Sequence, residues 1–220
     1  MKEHVGRSYF VSAENPAIAG CTVSKEIFGS DAGHAVYFSL AADTDISPET
    51  YAVWKAVIVH SGILKTVNLA GEEYTRYLKP LQAMLITPDT AFGTAAPDLD
   101  CIYTEITFRR NMEMNKMIQP GEVLDLAKIL PVSEGKIINM DVLTNAVSKF
   151  VLMSFDAGCA LSEHAAPGEA MIFALEGEAI ITYEGRETSL TEGMSFCFAK
   201  GGLHAVKAVT PFKMALLIML

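Results

Sequence analysis

Two stretches decide how this chain reads: Gly158-Cys-Ala-Leu-Ser-Glu-His164-Ala-Ala166-Pro-Gly-Glu169-Ala170-Met-Ile-Phe-Ala-Leu-Glu-Gly177, and Gly193-Met-Ser-Phe-Cys-Phe-Ala199-Lys-Gly201-Gly-Leu-His204. In the first, a polar Ser-containing segment leads through Pro167-Gly168 into an apolar strand that a glycine closes. In the second, an apolar strand lies between glycines and is followed by a histidine. Short apolar strands broken by Gly, Pro, Asn and Asp turns are the sequence form of a sandwich or small barrel, so the fold class read here is all-β.

The same pattern occurs earlier in the chain. A shift of about 115 residues places Val36-Tyr-Phe-Ser39-Leu-Ala-Ala42 on Val151-Leu-Met-Ser154-Phe-Asp-Ala157 and Gly62 on Gly177. Each copy then continues with β-type segments: Ile63 to Leu69, Ala83 to Thr87 and Ile102 to Phe108 in the first, and Ala179 to Tyr183, Met194 to Phe198 and Phe212 to Leu220 in the second. Between the copies, the run Val123-Leu-Asp-Leu-Ala-Lys-Ile-Leu130 has helical spacing and is closed by Pro131. The expected organisation is an N-terminal barrel over residues 1–115, a connector with a short helix over 116–135, and a C-terminal barrel over 136–220. Pro120-Gly121 is the expected boundary.

Ser162-Glu163-His164-Ala165-Ala166-Pro167, then Leu175-Glu176-Gly177-Glu178, then the Gly193 to His204 segment, make the C-terminal half resemble the small single-domain bacterial cupins. Through its internal repeat the whole chain is similar to a bicupin, two such barrels in tandem. The resemblance implies a jelly-roll-like barrel in each half, with side chains alternating between interior and outer face. Counting back from Gly177, Ala170, Ile172 and Ala174 are expected to face inward and, with Ala166, to line a small apolar substrate pocket. Met171, Phe173 and Leu175 are expected to face outward and to need covering by the partner barrel or by another chain, and on that ground a homodimer is expected.

In the cupin family these spacings carry a His-x-His pair, a Glu and a later His that together hold one divalent metal. Here two of the four positions are His164 and His204, and the other two are Ala166 and Ala170. Glu169 lies one residue before the family's Glu. A regular strand turns it to the opposite face, and a bulge at Pro167-Gly168 would return it inward. The resemblance therefore implies either a divalent transition metal (zinc, nickel, iron, manganese or copper) on His164, His204 and Glu169, or a metal-free pocket in which both imidazoles are hydrogen-bonded. In the metal-free case His164 or His204 is the candidate general base.

In the first barrel Glu49, Tyr51 and Lys55 take the places of His164, Ala166 and Ala170. Two readings stand there: a buried Glu49–Lys55 pair in place of a cation, or two charges on exposed loop and strand ends. Trp54 aligns with Glu169 and reads as a core or interface residue. His60 aligns with Leu175 and should point outward, while His4 and His34 have no partner in the sequence pattern.

Composition narrows the function. Half of the 220 residues are apolar, enough for a full core, and the net charge is −9 with 17 Lys and Arg that form no stripe, which argues against nucleic acid. The apolar runs are too short for a membrane span, and the N-terminus does not read as a secretory signal, so a cytoplasmic protein is expected. Cys21, Cys101, Cys159 and Cys197 form no Cys-x-x-Cys pair and read as reduced, mostly buried thiols. Two functions stay open: a metal-dependent enzyme of the dioxygenase, isomerase or decarboxylase kind acting on a small organic substrate, and a non-catalytic module for a sugar or metabolite. For the first barrel a purely structural role leads.

Overall fold

The computed structural model describes residues 4–67, 75–109 and 111–220, and the chain divides into two compact units. The N-terminal unit spans Val11–Met112 and Lys116–Asp125. Its strands are β2 (Thr22–Ser30), β3 (Gly33–Leu40), β4 (Thr44–Thr50), β5 (Trp54–Ser61), β6 (Leu64–Val67), β7 (Tyr77–Leu78), β8 (Gln82–Ile86), β9 (Ala91–Ala96), β10 (Cys101–Phe108) and β12 (Leu124–Asp125). The C-terminal unit takes residues 4–10, Glu113–Asn115 and Leu126–Leu220. It holds β1 (Ser8–Phe10), β11 (Glu113–Met114), β13 (Ile137–Thr144), β14 (Ser148–Phe155), β15 (Ala160–Ala165), β16 (Glu169–Glu176), β17 (Glu178–Tyr183), β18 (Arg186–Thr191), β19 (Met194–Phe198), β20 (Leu203–Ala208) and β21 (Phe212–Met219).

The all-β expectation holds, and each unit is a jelly roll of two antiparallel sheets. In the N-terminal unit the sheets run β12-β8-β5-β10-β3-β2 and β4-β9-β6-β7; in the C-terminal unit they run β1-β19-β16-β21-β14-β13-β11 and β15-β20-β17-β18. Strand for strand the two orders coincide from β8 to β2 and from β19 to β13, and across the two smaller sheets. The repeat seen in sequence is thus a repeat of topology.

Gly62 and Gly177 show why the repeat is visible in sequence. Both have left-handed backbones, with φ of 73° and 79°, and a Cβ on either would collide with a facing carbonyl, that of Asp100 or of Pro211.

The units are more interleaved than a cut at Pro120-Gly121. β1 pairs with β19, so the chain's beginning joins the C-terminal sheet, and β12 pairs with β8, so the segment after Pro120 still belongs to the N-terminal unit. The connector helix is correspondingly short. α2 covers only Leu126–Ile129, because Leu124 and Asp125 are spent on the strand β12. It packs on β16 and β21. A second single turn, α1, covers Val11–Glu14.

The alternation on β16 is as the sequence predicts: Ala170, Ile172 and Ala174 lie in the buried cluster between the two C-terminal sheets. Met171, Phe173 and Leu175 are buried too, within the single chain, so their burial needs no second copy. Among the described residues no helix is long and apolar enough to cross a membrane.

Candidate functional site

The two motif histidines meet. β15 and β20 pair His164 opposite His204, with a register shift between Leu161 and His164, and the ring centroids are 4.2 Å apart. His164 is exposed, while His204 is buried and packs on Phe198 at 4.2 Å. His164 Nδ1 lies 2.8 Å from the Ser162 carbonyl and His204 Nδ1 3.2 Å from the Gly202 carbonyl. Such bonds place the proton on Nδ1 and turn the Nε2 lone pairs outward, the arrangement that orients imidazole ligands. Burial, reinforced by the neighbouring His164, lowers the pKa of His204 below the usual imidazole value, against the opposing pull of its bond to Gly202.

The third ligand does not arrive. β16 pairs regularly with β21 from Glu169 to Ala174, its register shift coming only between Ala174 and Glu176, so no bulge follows Pro167-Gly168 to turn Glu169 round. Ala170 faces the interior and Glu169 therefore faces away, on the side of Cys197. Among the described residues no three His, Cys, Asp or Glu side chains gather in a way that could hold a metal. Two imidazoles are one ligand short of a catalytic site, and the donor set does not fit a fully held metal. Cys197 does not help: its Sγ lies 3.2 Å from the Tyr9 hydroxyl, and burial pushes the thiol up to about 11.

Nor do the small residues of β16 leave an open pocket. Ala166, Ala170 and Ala174 pack in one buried cluster with Phe155, Phe196, Phe198, Phe212 and Met214, with Tyr183 against it. The aromatic side chains from β14, β19 and β21 occupy the space that the alanines leave. The expected substrate pocket at Ala166, Ala170, Ile172 and Ala174 is hydrophobic core.

The N-terminal jelly roll does hold cavities. Matching registers give the equivalents: Leu40 pairs with Cys101 as Phe155 does with Phe212, Val57 with Met84 as Ile172 does with Phe196, and Lys55 with Ile86 as Ala170 does with Phe198. Four phenylalanines have Leu40, Met84, Ile86 and Cys101 in their places, while Ala170 and Met214 are matched by the larger Lys55 and Tyr103. A cavity of about 240 Å³ is lined by Phe38, Glu49, Tyr51, Lys55, Phe92, Thr94, Tyr103 and Glu105, among others. A larger one of about 510 Å³, lined chiefly by Thr66, Met84, Ile86, Phe92 and Pro120 with Arg76 and Glu122, shares Phe92 with it. Arg76 and Glu122 are ion-paired at 3.0 Å.

The smaller cavity is lined by a buried ion pair and two buried hydroxyls. Lys55 Nζ lies 2.9 Å from Glu105 Oε1, with the two side chains only 10% and 14% exposed, and 4.0 Å from the centroid of the Tyr51 ring. The Tyr51 hydroxyl donates to Glu49, and that bond, with burial and the nearby carboxylates, raises the phenol's pKa. Thr94 Oγ1 and the Tyr103 hydroxyl share a hydrogen bond of 3.0 Å, and burial pushes the Tyr103 pKa up. Both phenols stay protonated at neutral pH.

Glu49 does occupy the place of His164: it pairs with Phe92 across a register shift between Ile46 and Glu49, as His164 pairs with His204. Neither sequence reading of the first barrel is the arrangement found. Lys55 is buried, as in the first reading; Glu49 is exposed, as in the second; and the partner of Lys55 is Glu105, which the sequence reading missed. A signal for it existed. Glu105 is the one charged residue in the apolar strand β10, at the same parity as Cys101 and Tyr103, which face inward.

Comparison with known proteins agrees with this architecture. Residues 151–219 match the family model for the cupin domain. That match falls within the C-terminal jelly roll, from β14 to β21. The whole chain has the cupin fold: a Cupin 2 conserved barrel domain protein from Leptotrichia buccalis superposes with a TM-score of 0.86 at 22% identity, over 98% of this chain and 97% of that one. A mutant salicylate 1,2-dioxygenase from Pseudoaminobacter salicylatoxidans gives 0.67 at 11% identity, over 99% and 84%. A mutant oxalate decarboxylase from Bacillus subtilis gives 0.59 at 9% identity, over 98% and 77%. These are likenesses of fold. No curated protein sequence matches the chain.

Proposed function

We propose that this cupin binds a small organic molecule without a bound metal, and that its pocket is the interior of the N-terminal jelly roll. The observation that carries the reading is the pair of cavities meeting at Phe92, about 510 and 240 Å³, with the Lys55–Glu105 ion pair buried in the smaller. Binding sites are concave, mostly apolar, and supplied with a few placed polar groups, and the larger cavity falls in the size range of small-molecule pockets. In the smaller cavity Lys55, Glu105, Glu49 and Tyr51 orient the polar end of the ligand, while in the larger one Met84, Ile86 and Phe92 exclude water from the rest. The C-terminal domain, with its filled interior, serves as the rigid half.

A second reading keeps the histidines in play. The facing imidazoles, with both Nδ1 atoms held by backbone carbonyls, suit a weakly held metal or an anchoring contact to a ligand at the rim of the cupin domain. In that case the dioxygenase and decarboxylase named above are the relevant analogies of chemistry.

One experiment separates the two. Thermal-shift screening of metabolites on chelator-treated protein is run on wild type, on Ile86→Phe and on His164→Ala. A stabilising compound lost in Ile86→Phe and kept in His164→Ala supports the N-terminal pocket. A hit, or a metal, lost only in His164→Ala overturns it in favour of the histidine site.

A further inference from the structure

The charges of the smaller cavity select among ligands, and this selection rests on the reading that the N-terminal interior is the pocket. Its walls bring two carboxylates, Glu49 and Glu105, and one ammonium, Lys55. The ammonium is already committed, to Glu105 at 2.9 Å and to the face of Tyr51 at 4.0 Å. Beyond the buried Lys55–Glu105 pair, the set therefore carries one further negative charge, on the exposed Glu49, which accepts the Tyr51 hydroxyl's hydrogen bond.

Each class of head group fares differently there. A carboxylate would bring a third negative charge against a single cation that is already paired. A neutral hydroxyl would gain only hydrogen bonds. A protonated amine would complete the charge balance, as two carboxylates against two ammonium groups, adding a cation beside the Lys55–Glu105 pair and opposite Glu49. Phe38, Tyr51 and Phe92 add aromatic walls, and a ring face turned to a cation attracts it. Phe92 lines both cavities, and Ile86, the cross-strand partner of Lys55, lines the larger one, so a head group on the polar side leads into an apolar space.

We infer that the ligand of the N-terminal jelly roll is an organic cation, a protonated amine joined to an apolar body, with the amine between Glu49 and Glu105 and the body past Phe92 against Met84 and Ile86.

The test uses three probes that share one hydrocarbon frame: phenethylamine, phenethyl alcohol and 3-phenylpropionate. Their affinities are measured by calorimetry at pH 7 on the full chain, on Ile86→Phe and on Glu49→Gln, the last an exposed position whose change leaves the core untouched. The amine is expected to bind about tenfold tighter than the carboxylate, a difference of about 1.4 kcal/mol. Glu49→Gln should weaken the amine severalfold and the alcohol much less, since Gln keeps a hydrogen-bonding group but not the charge, and Ile86→Phe should abolish both. Tighter binding of the carboxylate, or an amine indifferent to Glu49→Gln, overturns the inference while Ile86→Phe sensitivity leaves the pocket standing. If no probe shows binding that Ile86→Phe removes, the pocket reading falls with it.

Discussion

The two halves of this chain share a strand order, a register and even a bulge, yet they fill their interiors in opposite ways. The C-terminal unit keeps two histidines of the family motif at its rim and closes its interior with Phe155, Phe196, Phe198 and Phe212. The N-terminal unit lost the histidines, with Glu49 and Phe92 in their places, and left its interior open around Lys55, Glu105 and Tyr103. Retention of a motif and retention of a pocket are separable. The motif histidines lie on β15 and β20, whereas the filling of the interior is contributed by side chains on β14, β19 and β21.

The contrast can be broken by substitution. The largest effect is expected at Phe198, whose removal in Phe198→Ala leaves a void in a filled interior and strips a ring from His204; a loss of about 3–5 kcal/mol in urea unfolding checks it. Next is Lys55→Met, which leaves the Glu105 carboxylate without its cation. A loss of about 3 kcal/mol is expected, largely restored in the double variant Lys55→Met/Glu105→Leu, because an apolar pair substitutes for a buried ion pair better than half of one does. A double variant no more stable than Lys55→Met would show that the ion pair is not coupled in this way.

Acid should act on both halves through histidine. His60, whose Nε2 lies 2.6 Å from Thr104 Oγ1, is held by burial at about 3, and His204 is lowered by its own burial. As pH falls below 6.5 the unfolded chain takes up protons that the folded chain resists, so stability present at neutral pH is lost progressively, by at most about 1.4 kcal/mol per pH unit for each group. The His60 contribution continues towards pH 3. A melting temperature that declines from pH 6.5 downward, with a shallower slope in His60→Gln, is the expected record. The smallest effect should be Ile86→Phe, which grafts the C-terminal filling into the open half: about 1 kcal/mol or less, because the ring enters existing space.

Much of this was legible in the chain. Gly62 and Gly177 occur at matching places because facing carbonyls exclude a Cβ from both, and the inward parity of Ala170, Ile172 and Ala174 followed from counting along one strand. The partner of Lys55 was harder to see because Glu49 is near in sequence, whereas Glu105 reaches it only through the pairing of β5 with β10. The packing of Ala166, Ala170 and Ala174 into core was hidden for a similar reason. Alanines on β16 read as empty space so long as the phenylalanines on β14, β19 and β21 were not known to face them. Glu169 depended on a bulge that no sequence rule requires, and the strand stayed regular there.

The central claim, that the open N-terminal interior is where this protein holds its ligand, is tested most directly by methyl NMR of the methionines. Met84 lines the larger cavity, and Met214 sits in the filled cupin interior. Titration with phenethylamine should shift the Met84 methyl by ring current and leave Met214 in place. A shift at Met214 with Met84 unmoved would contradict the account and return the ligand to the half that kept the histidines.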